Sequence, residues 1–454
     1  QAMCYAHMLC IREGWETMRV RLTYYQVDTD EIRRFIRAYT ADELAAFYAD
    51  LLERYRRWGE RRQDWEGTRD ASIKATAFPY PHYRPGQRRL AEAVYRTARD
   101  GGRLFCQAPT GIGKTISTLF PAIKAIGEGI ADKIFYLTAK TITRQVAESA
   151  CDAMRAGGLR LKTVTLTAKD KICFLERRNC NPDACPYADG HFDRVNGALE
   201  EMLEREEAFT REKVETYAHR HRVCPFELAL DLTLWCDVII ADYNYIFDPQ
   251  VYLRRFFTGG PGPYVFLIDE AHNLVDRARE MYSAGLRKSD FLQMSRALGK
   301  KDKLRRSLAG INTAMIAMRT ECGEAGCLRR EEPYREFHKQ LARTAADCEE
   351  WLQQHPHAPE EEQLLNLYFG MLSFLRIAEL YDERYITSVE AKGSEVALRL
   401  FCLDPSYLLS KAMERGRASV LFSATLTPLP YYRELLGGDE TSPGEYAELF
   451  ALLL

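Results

Sequence analysis

Long apolar runs, low-complexity tracts, internal repeats and a dominant charge of one sign are all missing from this chain of 454 residues, and each absence narrows the reading. No stretch of about 18 apolar residues occurs, so no helical membrane span is expected. Lys and Arg number 63 against 65 Asp and Glu, a formal net charge of −2. No global basic field exists to attract a polyanion, so such a surface must be a local concentration of Lys and Arg. The residues after Gln1 do not read as a charged segment followed by an apolar core, the pattern of a secretory signal. The thirteen cysteines therefore suggest a reducing compartment, where thiols serve as metal ligands or small buried hydrophobes. A hydrophobic content of 46% with 28% charge is ordinary for a globular chain, and the length suggests about three domains. Both ends, Gln1 and the apolar run closing at Leu454, are expected to be cuts through a larger protein.

Residues 31–65 are expected to be helical, with apolar positions at helical spacing among Glu, Arg and Ala. The stretch Phe78-Pro79-Tyr80-Pro81 breaks this pattern. Short apolar runs then suit buried parallel strands at Lys133–Thr138, Asp237–Ala241, Val265–Ile268 and Ser419–Ser423, with helical patterns between them. Together they predict an α/β sheet. Two long inserts interrupt it: residues 166–224, which hold a cysteine set, and residues 281–412, which read as mostly helical with no strand pattern of their own.

The run Ala108-Pro109-Thr110-Gly111-Ile112-Gly113-Lys114-Thr115 stands between a predicted strand, Leu104–Gln107, and a predicted helix, Ile116–Ile126. That is the setting of a phosphate-binding loop. Gly111 and Gly113 let backbone amides curl around phosphates, Lys114 reaches the β/γ oxygens, and the Thr115 hydroxyl binds Mg²⁺. Ala108 stands where the usual pattern has its first glycine. The second motif is Asp269-Glu270-Ala271-His272, at the end of an apolar strand. A carboxylate there faces the crevice in which nucleotides bind. Asp269 is expected to hold Mg²⁺ through water, and Glu270 to orient and deprotonate the attacking water. His272 is expected to link nucleotide to a relay formed by Ser423-Ala424-Thr425, and Gln87 to read both edges of adenine.

Cys173, Cys180, Cys185 and Cys224 lie between these two motifs, with six residues between the first pair and four between the second. Four thiolates can bind Zn²⁺ or an iron–sulfur cluster; zinc sites usually show tight pairs on both sides, and this set has one. Cys322 and Cys327 repeat the four-residue gap without a second pair nearby and read as loop cysteines, whereas Cys106 and Cys236 read as core.

The order of these parts resembles the XPD/DinG family of superfamily 2 helicases. The matching pieces are Phe78-Pro79-Tyr80, Gln87, Ala108–Thr115, Leu137–Thr141, the four cysteines, Ala241–Tyr245, Asp269–His272 and Ser423–Leu426, covering residues 76 to about 436. The resemblance implies a 5′→3′ ATP-dependent DNA helicase of repair or replication, cytoplasmic and nucleoid-associated, acting on single-stranded DNA and on forked or tailed duplexes. Its cofactors would be ATP, Mg²⁺ and a 4Fe–4S cluster on Cys173, Cys180, Cys185 and Cys224. Residues 76–165, 225–280 and 413–440 would form a RecA-like P-loop motor domain. An iron–sulfur domain at 166–224 and a helical Arch at 281–412 would be inserted in it. Thr138, Lys140 and Thr141 match the family's first motif that contacts the DNA backbone. The cysteine spacing departs from that of the best-known members. The second motor domain and its arginine finger are not in the chain, so weak ATP hydrolysis is expected.

Residues 1–75 resemble the tail of a RecB-like PD-(D/E)XK nuclease plus a linker, with Gln1 and Tyr5 on one helix face and an alternating strand at Val20–Tyr24. Two competing readings stay open: a nucleotide-switched DNA-binding module without motor activity, and a P-loop ATPase with structural zinc.

Overall fold

Runs such as Lys133–Leu137 and Val238–Ala241 have no polar alternation because both of their faces are covered, and they assemble into one parallel sheet. The computed structural model describes residues 1–26, 30–300, 302–356 and 358–438; the predicted C-terminal apolar run and residues 439–440 of the expected motor range lie outside these. The motor body begins with helix α3 (Gln87–Asp100) after an N-terminal unit. That unit comprises α1 (Ala2–Glu13), strands β1 (Thr17–Tyr25) and β2 (Ile32–Thr40), and the long helix α2 (Ala41–Ala75). Then come β3 (Gly102–Gln107), α4 (Lys114–Gly127), β4 (Lys133–Leu137), α5 (Thr141–Ala156) and β5 (Thr163–Thr165). The first insert contributes α6 (Lys169–Ile172), α7 (His191–Arg205), β6 (Ala208–Phe209) and α8 (Arg211–His221), and α9 (Pro225–Leu232) follows it directly. The core resumes with β7 (Val238–Ala241), α10 (Asn244–Phe247), β8 (Tyr264–Asp269) and α11 (His272–Met281). The second insert holds β9 (Ala284–Arg287), α12 (Lys288–Ala297), α13 (Lys303–Glu321), β10 (Cys327–Arg330), α14 (Arg335–Gln354), α15 (Glu361–Glu379), β11 (Tyr385–Lys392) and β12 (Glu395–Cys402). Helix α16 (Ser406–Met413), β13 (Ala418–Ser423) and α17 (Leu429–Leu435) close the described chain.

The sheet runs β3-β13-β8-β4-β7-β5-β6, with every pair parallel. It is a mixed α/β body built on a large parallel sheet, as expected. The C-terminal ends of β3, β13, β8 and β4 therefore open side by side, and the loops that follow them form one rim.

Three differences from the sequence expectation have physical causes. Residues 32–40 are a strand instead of helix. Ile32, Phe35, Ile36 and Tyr39 fall at helical spacing, but nine residues pair in unbroken register with β1, from Tyr25–Ile32 to Thr17–Thr40. Thr40 then starts α2 through a capping box, its side chain accepting from the Glu43 amide while the Glu43 carboxylate accepts from the Thr40 amide. The second insert contains a four-stranded antiparallel sheet, β10-β11-β12-β9, beside its helices. The alternation Val396, Leu398, Leu400, Cys402, all buried, is the strand signal that the helical pattern around it obscured. In the first insert, β6 adds to β5 at the edge of the main sheet, so this segment is partly built into the motor body.

Helix α2 spans from the N-terminal unit to the motor body. Leu44 near its start is buried with Ala6 and Cys10 of α1, and Ile73 near its end is buried against α4. Gly127 permits that approach, since a Cβ there would lie 2.5 Å from Ile73 Cγ2. Between these ends α2 is fastened at Asp237, just before β7. The Asp237 carboxylate accepts from Arg69 Nη1 at 2.9 Å, Trp65 Nε1 at 3.3 Å and the Lys162 amide at 2.8 Å. The Trp65 ring also lies 3.9 Å from the Lys162 ammonium, and Trp58 packs on Trp235 at 5.1 Å. A cavity of about 600 Å³ opens in this seam, at the opposite end of the strands from the phosphate loop. Its buried ammoniums are already bonded to carbonyls, Lys133 to Leu234 and Cys236, and Lys162 to Leu203 and Glu206. The cavity is a seam between packed units.

Replacing Asp237 with Ala removes the acceptor shared by Arg69, Trp65 and the Lys162 amide and leaves Arg69 only Asp70, so a loss of about 3 kcal/mol is expected. The urea midpoint of the purified chain measures it. A midpoint unchanged within error would show that α2 is not anchored there.

Candidate functional site

The loop Ala108–Gly113 leaves β3 and delivers Lys114 and Thr115 to the first turn of α4. Gly111 and Gly113 both have φ of 83°, a left-handed conformation that other residues adopt only under strain. Gly113 also leaves room for Gln87, since a Cβ would sit 2.3 Å from Gln87 Nε2 and push that side chain aside. Gln87 is thus packed against the loop, with its Oε1 accepting from the Arg84 amide at 2.7 Å, while the Arg84 guanidinium donates to the Gly111 carbonyl.

Asp269 ends β8 and is 3% exposed. Its Oδ1 accepts from the Glu270 amide at 2.8 Å and its Oδ2 from the Tyr136 hydroxyl at 2.6 Å. The same Tyr136 oxygen lies 3.4 Å from Thr115 Oγ1, so the loop threonine and the Asp269 carboxylate share one neighbour. These hard oxygen donors suit Mg²⁺. Burial pushes the Asp269 carboxyl up, opposed by the Tyr136 hydrogen bond. Glu270 has a left-handed φ of 50°. Tyr243, fully buried, holds this strained turn by donating to the Asp269 carbonyl and reaching the Glu270 carbonyl at 3.1 Å.

Ser423 ends β13, the strand beside β8, and donates to Glu270 Oε2 at 3.1 Å. His272 Nδ1 lies 2.7 Å from Ser423 Oγ, and the Thr425 amide donates to that oxygen at 3.2 Å. Glu270, His272, Ser423 and Thr425 therefore form one hydrogen-bonded unit across two strand ends.

Further along the rim, Lys140 caps α5 and Thr141 begins it, both exposed, beside Ile142, which is 73% exposed. Thr138 departs from expectation. It is fully buried, its amide donates to the Ala241 carbonyl, and its hydroxyl lies 2.5 Å from that of Thr143. It braces the turn and presents no hydroxyl to solvent. Behind this turn Asp242 is bonded by Arg144 at 3.3 Å and Arg277 at 3.4 Å, joining α5 to α11. Sequence reasoning gave no role to Tyr136, Tyr243 or this ion network, although Asp242 and Tyr243 lie inside the Ala241–Tyr245 match and Tyr136 stands one residue before Leu137–Thr141.

The DEAD_2 family model matches residues 144–291. The helicase subunit XPD/RAD3 of general transcription and DNA repair factor IIH from Saccharomyces cerevisiae is 20% identical over 483 residues, covering 82% of this chain and 61% of its own length. The XPD subunit from Dictyostelium discoideum is 21% identical over 223 residues, covering 43% of this chain and 29% of its own. The regulator of telomere elongation helicase 1 homolog of Drosophila yakuba is 22% identical over 264 residues, covering 47% and 26%. A solved XPD helicase aligns with a TM-score of 0.52 at 18% identity, over 79% of this chain and 61% of that one. The chain is thus similar to XPD-type helicases over these stretches, and it shares the fold of the solved XPD helicase.

The chain spans between about a quarter and three fifths of the length of the curated relatives it matches. No helix among its described residues is long and apolar enough to cross a membrane. All thirteen cysteines are free thiols. Cys106 and Cys236 are fully buried in the core, as expected. Cys322 is not a loop residue: it caps α13 and is buried, its Sγ 3.4 Å from the Met318 carbonyl, while Cys327 opens β10. Cys173, Cys180, Cys185 and Cys224 occupy the lobe of α6 and α9, but among the described residues no three His, Cys, Asp or Glu side chains gather as a metal site. As placed, they do not form a ligand cage. Two of them share Lys169 instead. Burial alone would lower its ammonium, yet Cys180, Glu227 and Cys224 outweigh this and shift it upward. Lys169 also lies 3.6 Å from Glu227 and over the Phe226 ring at 5.2 Å. At the N-terminus, Gln1 caps α1 and its carbonyl accepts from the Tyr5 amide, with the Tyr5 ring 67% exposed.

Gly113→Ala combines a strained φ with a collision on Gln87, and is expected to destabilise the loop by roughly 1–2 kcal/mol. Hydrogen exchange of loop amides should quicken across residues 108–116. Unchanged protection would contradict the contact.

Proposed function

We propose that this chain is the first motor domain of an ATP-dependent DNA helicase of the XPD/DinG type, acting 5′→3′ in repair or replication. It binds ATP and single-stranded DNA, at the ends of forked or tailed duplexes. The observation that carries this reading is the single hydrogen-bonded unit of Glu270, Ser423 and His272, beside Lys114, Thr115 and Asp269. In this reading the loop amides and Lys114 hold the phosphates at the N-terminus of α4. Gln87 reads adenine, and Thr115 and Asp269 hold Mg²⁺. The metal, when bound, neutralises charge on the phosphate oxygens. Glu270 orients the attacking water and takes its proton, with its carboxylate pinned by Ser423. His272 carries the state of Glu270 to Ser423 and Thr425.

Lys140 and Thr141 are proposed to grip a DNA phosphate. The exposed start of a 16-residue helix supports this, since unpaired amides and the helix dipole favour an anion there. The ion network of Asp242, Arg144 and Arg277 then couples that grip to α11, which begins at His272. Residues 166–224 and 281–412 are proposed as the iron–sulfur lobe and the Arch. Cys173, Cys180, Cys185 and Cys224 are the thiolates for the cluster. The soft donor set and its confinement to one lobe support this.

Lys114→Ala should weaken ATP binding at least ten-fold by calorimetry, and unchanged affinity would defeat the nucleotide reading. Single-stranded DNA should bind better than duplex. Log affinity should fall with log salt at a slope of roughly −2 to −4, from about −0.7 per phosphate. Lys140→Ala should reduce that slope and weaken all sequences alike. Equal binding of duplex, or affinity insensitive to salt, would refute the strand-gripping role. Anaerobic protein should carry stoichiometric iron and sulfide that Cys180→Ser removes; zinc in place of iron would replace the cluster with a structural metal.

A further inference from the structure

We infer that Tyr136 is a positioning residue for the divalent cation, its hydroxyl fixing the Asp269 carboxylate beside Thr115 of the phosphate loop before the metal arrives. This deepens the nucleotide reading above and rests on it. Tyr136 lies in the middle of β4, fully buried, where a phenylalanine would fill the same space. Its hydroxyl is the part that packing does not require. A phenol has one proton, and at 2.6 Å it goes to Asp269 Oδ2. The phenol oxygen lies 3.4 Å from Thr115 Oγ1, so the phenol stands between the loop threonine and the carboxylate.

The consequence falls on Asp269, which is held by two donors at once, the Glu270 amide on Oδ1 and Tyr136 on Oδ2. An ionised carboxylate has about four lone-pair sites. Two are occupied, which fixes the rotation of the group, and two remain for water bound to the metal. Without the phenol hydroxyl, Asp269 keeps a single donor and is free to rotate away from Thr115.

The test is Tyr136→Phe, which keeps the ring and changes only the hydroxyl. Two quantities are measured on the same samples. Affinity for a fluorescent ATP analogue without metal reports an intact loop. Affinity for Mn²⁺ in the presence of the nucleotide, read by electron paramagnetic resonance, reports the cation. The inference expects metal-free nucleotide affinity within about two-fold of the parent and Mn²⁺ affinity lower by about ten-fold, the size of one hydrogen bond to a charged group. Mn²⁺ affinity that is unchanged or tighter would overturn it. A parallel loss of metal-free nucleotide affinity would overturn it too, because the hydroxyl would then hold the loop and not the cation ligands. Lys114→Ala separates the two levels. If that variant still binds nucleotide normally, the nucleotide reading itself fails. If it loses binding while Tyr136→Phe is silent, only the role of Tyr136 falls.

Discussion

Asp269 is a carboxylate almost without solvent, and such a group is tolerated only when donors replace the water it has lost. Here the donors come from two directions, the next backbone amide and a tyrosine on the neighbouring strand. A second tyrosine, Tyr243, fixes the carbonyls of the same two residues from the loop after β7. The ends of β4, β7 and β8 are thus tied to one residue. The left-handed turn at Glu270 persists because these partners hold it from outside.

From that anchor the arrangement extends sideways. The parallel sheet puts β13 beside β8, which brings Ser423 to Glu270 and His272 although more than 150 residues separate them in sequence. On the other side Asp242 holds Arg144 of α5 and Arg277 of α11, so the rim that carries Lys140 and the helix that begins at His272 share an ion network. With half-buried partners and modest geometry, its value lies in fixing the relative position of two helices more than in stability.

The peripheral parts attach by different physics. Helix α2 is held by a buried aspartate and a tilted pair of tryptophans at the opposite end of the sheet from the phosphate loop, so the N-terminal unit is fastened to the body without touching the nucleotide rim. The second insert folds around its own apolar faces, with alternating strand residues packed under α12 to α15. The first insert is mixed: β6 extends the main sheet, while the segment with Cys173, Cys180 and Cys185 lies between α6 and α7.

How much was legible in the sequence depended on how local the physics was. The phosphate loop needs glycines with positive φ beside a Lys-Thr helix start, and the chain states this in eight consecutive residues. Buried parallel strands need uninterrupted apolar runs, so β4, β7, β8 and β13 were legible to within a residue or two. The strand at 32–40 was misread because its apolar spacing also fits a helix, and only pairing with β1 decides between the two. Thr138 carried a motif match, but its exposure was set by how the turn folds against Ala241 and Thr143. Tyr136 had no pattern of its own, and Asp242 and Tyr243 stood in a matching motif without an assigned role. Their partners stand between about 20 and 135 residues away, so their roles exist only once the parallel sheet has brought strand ends together. The sequence alone determined which chemical groups this chain possesses and the strand or helix that carries most of them. The tertiary structure decided which of those groups share a hydrogen bond, because that is set by strand order, and strand order is a property of the whole sheet.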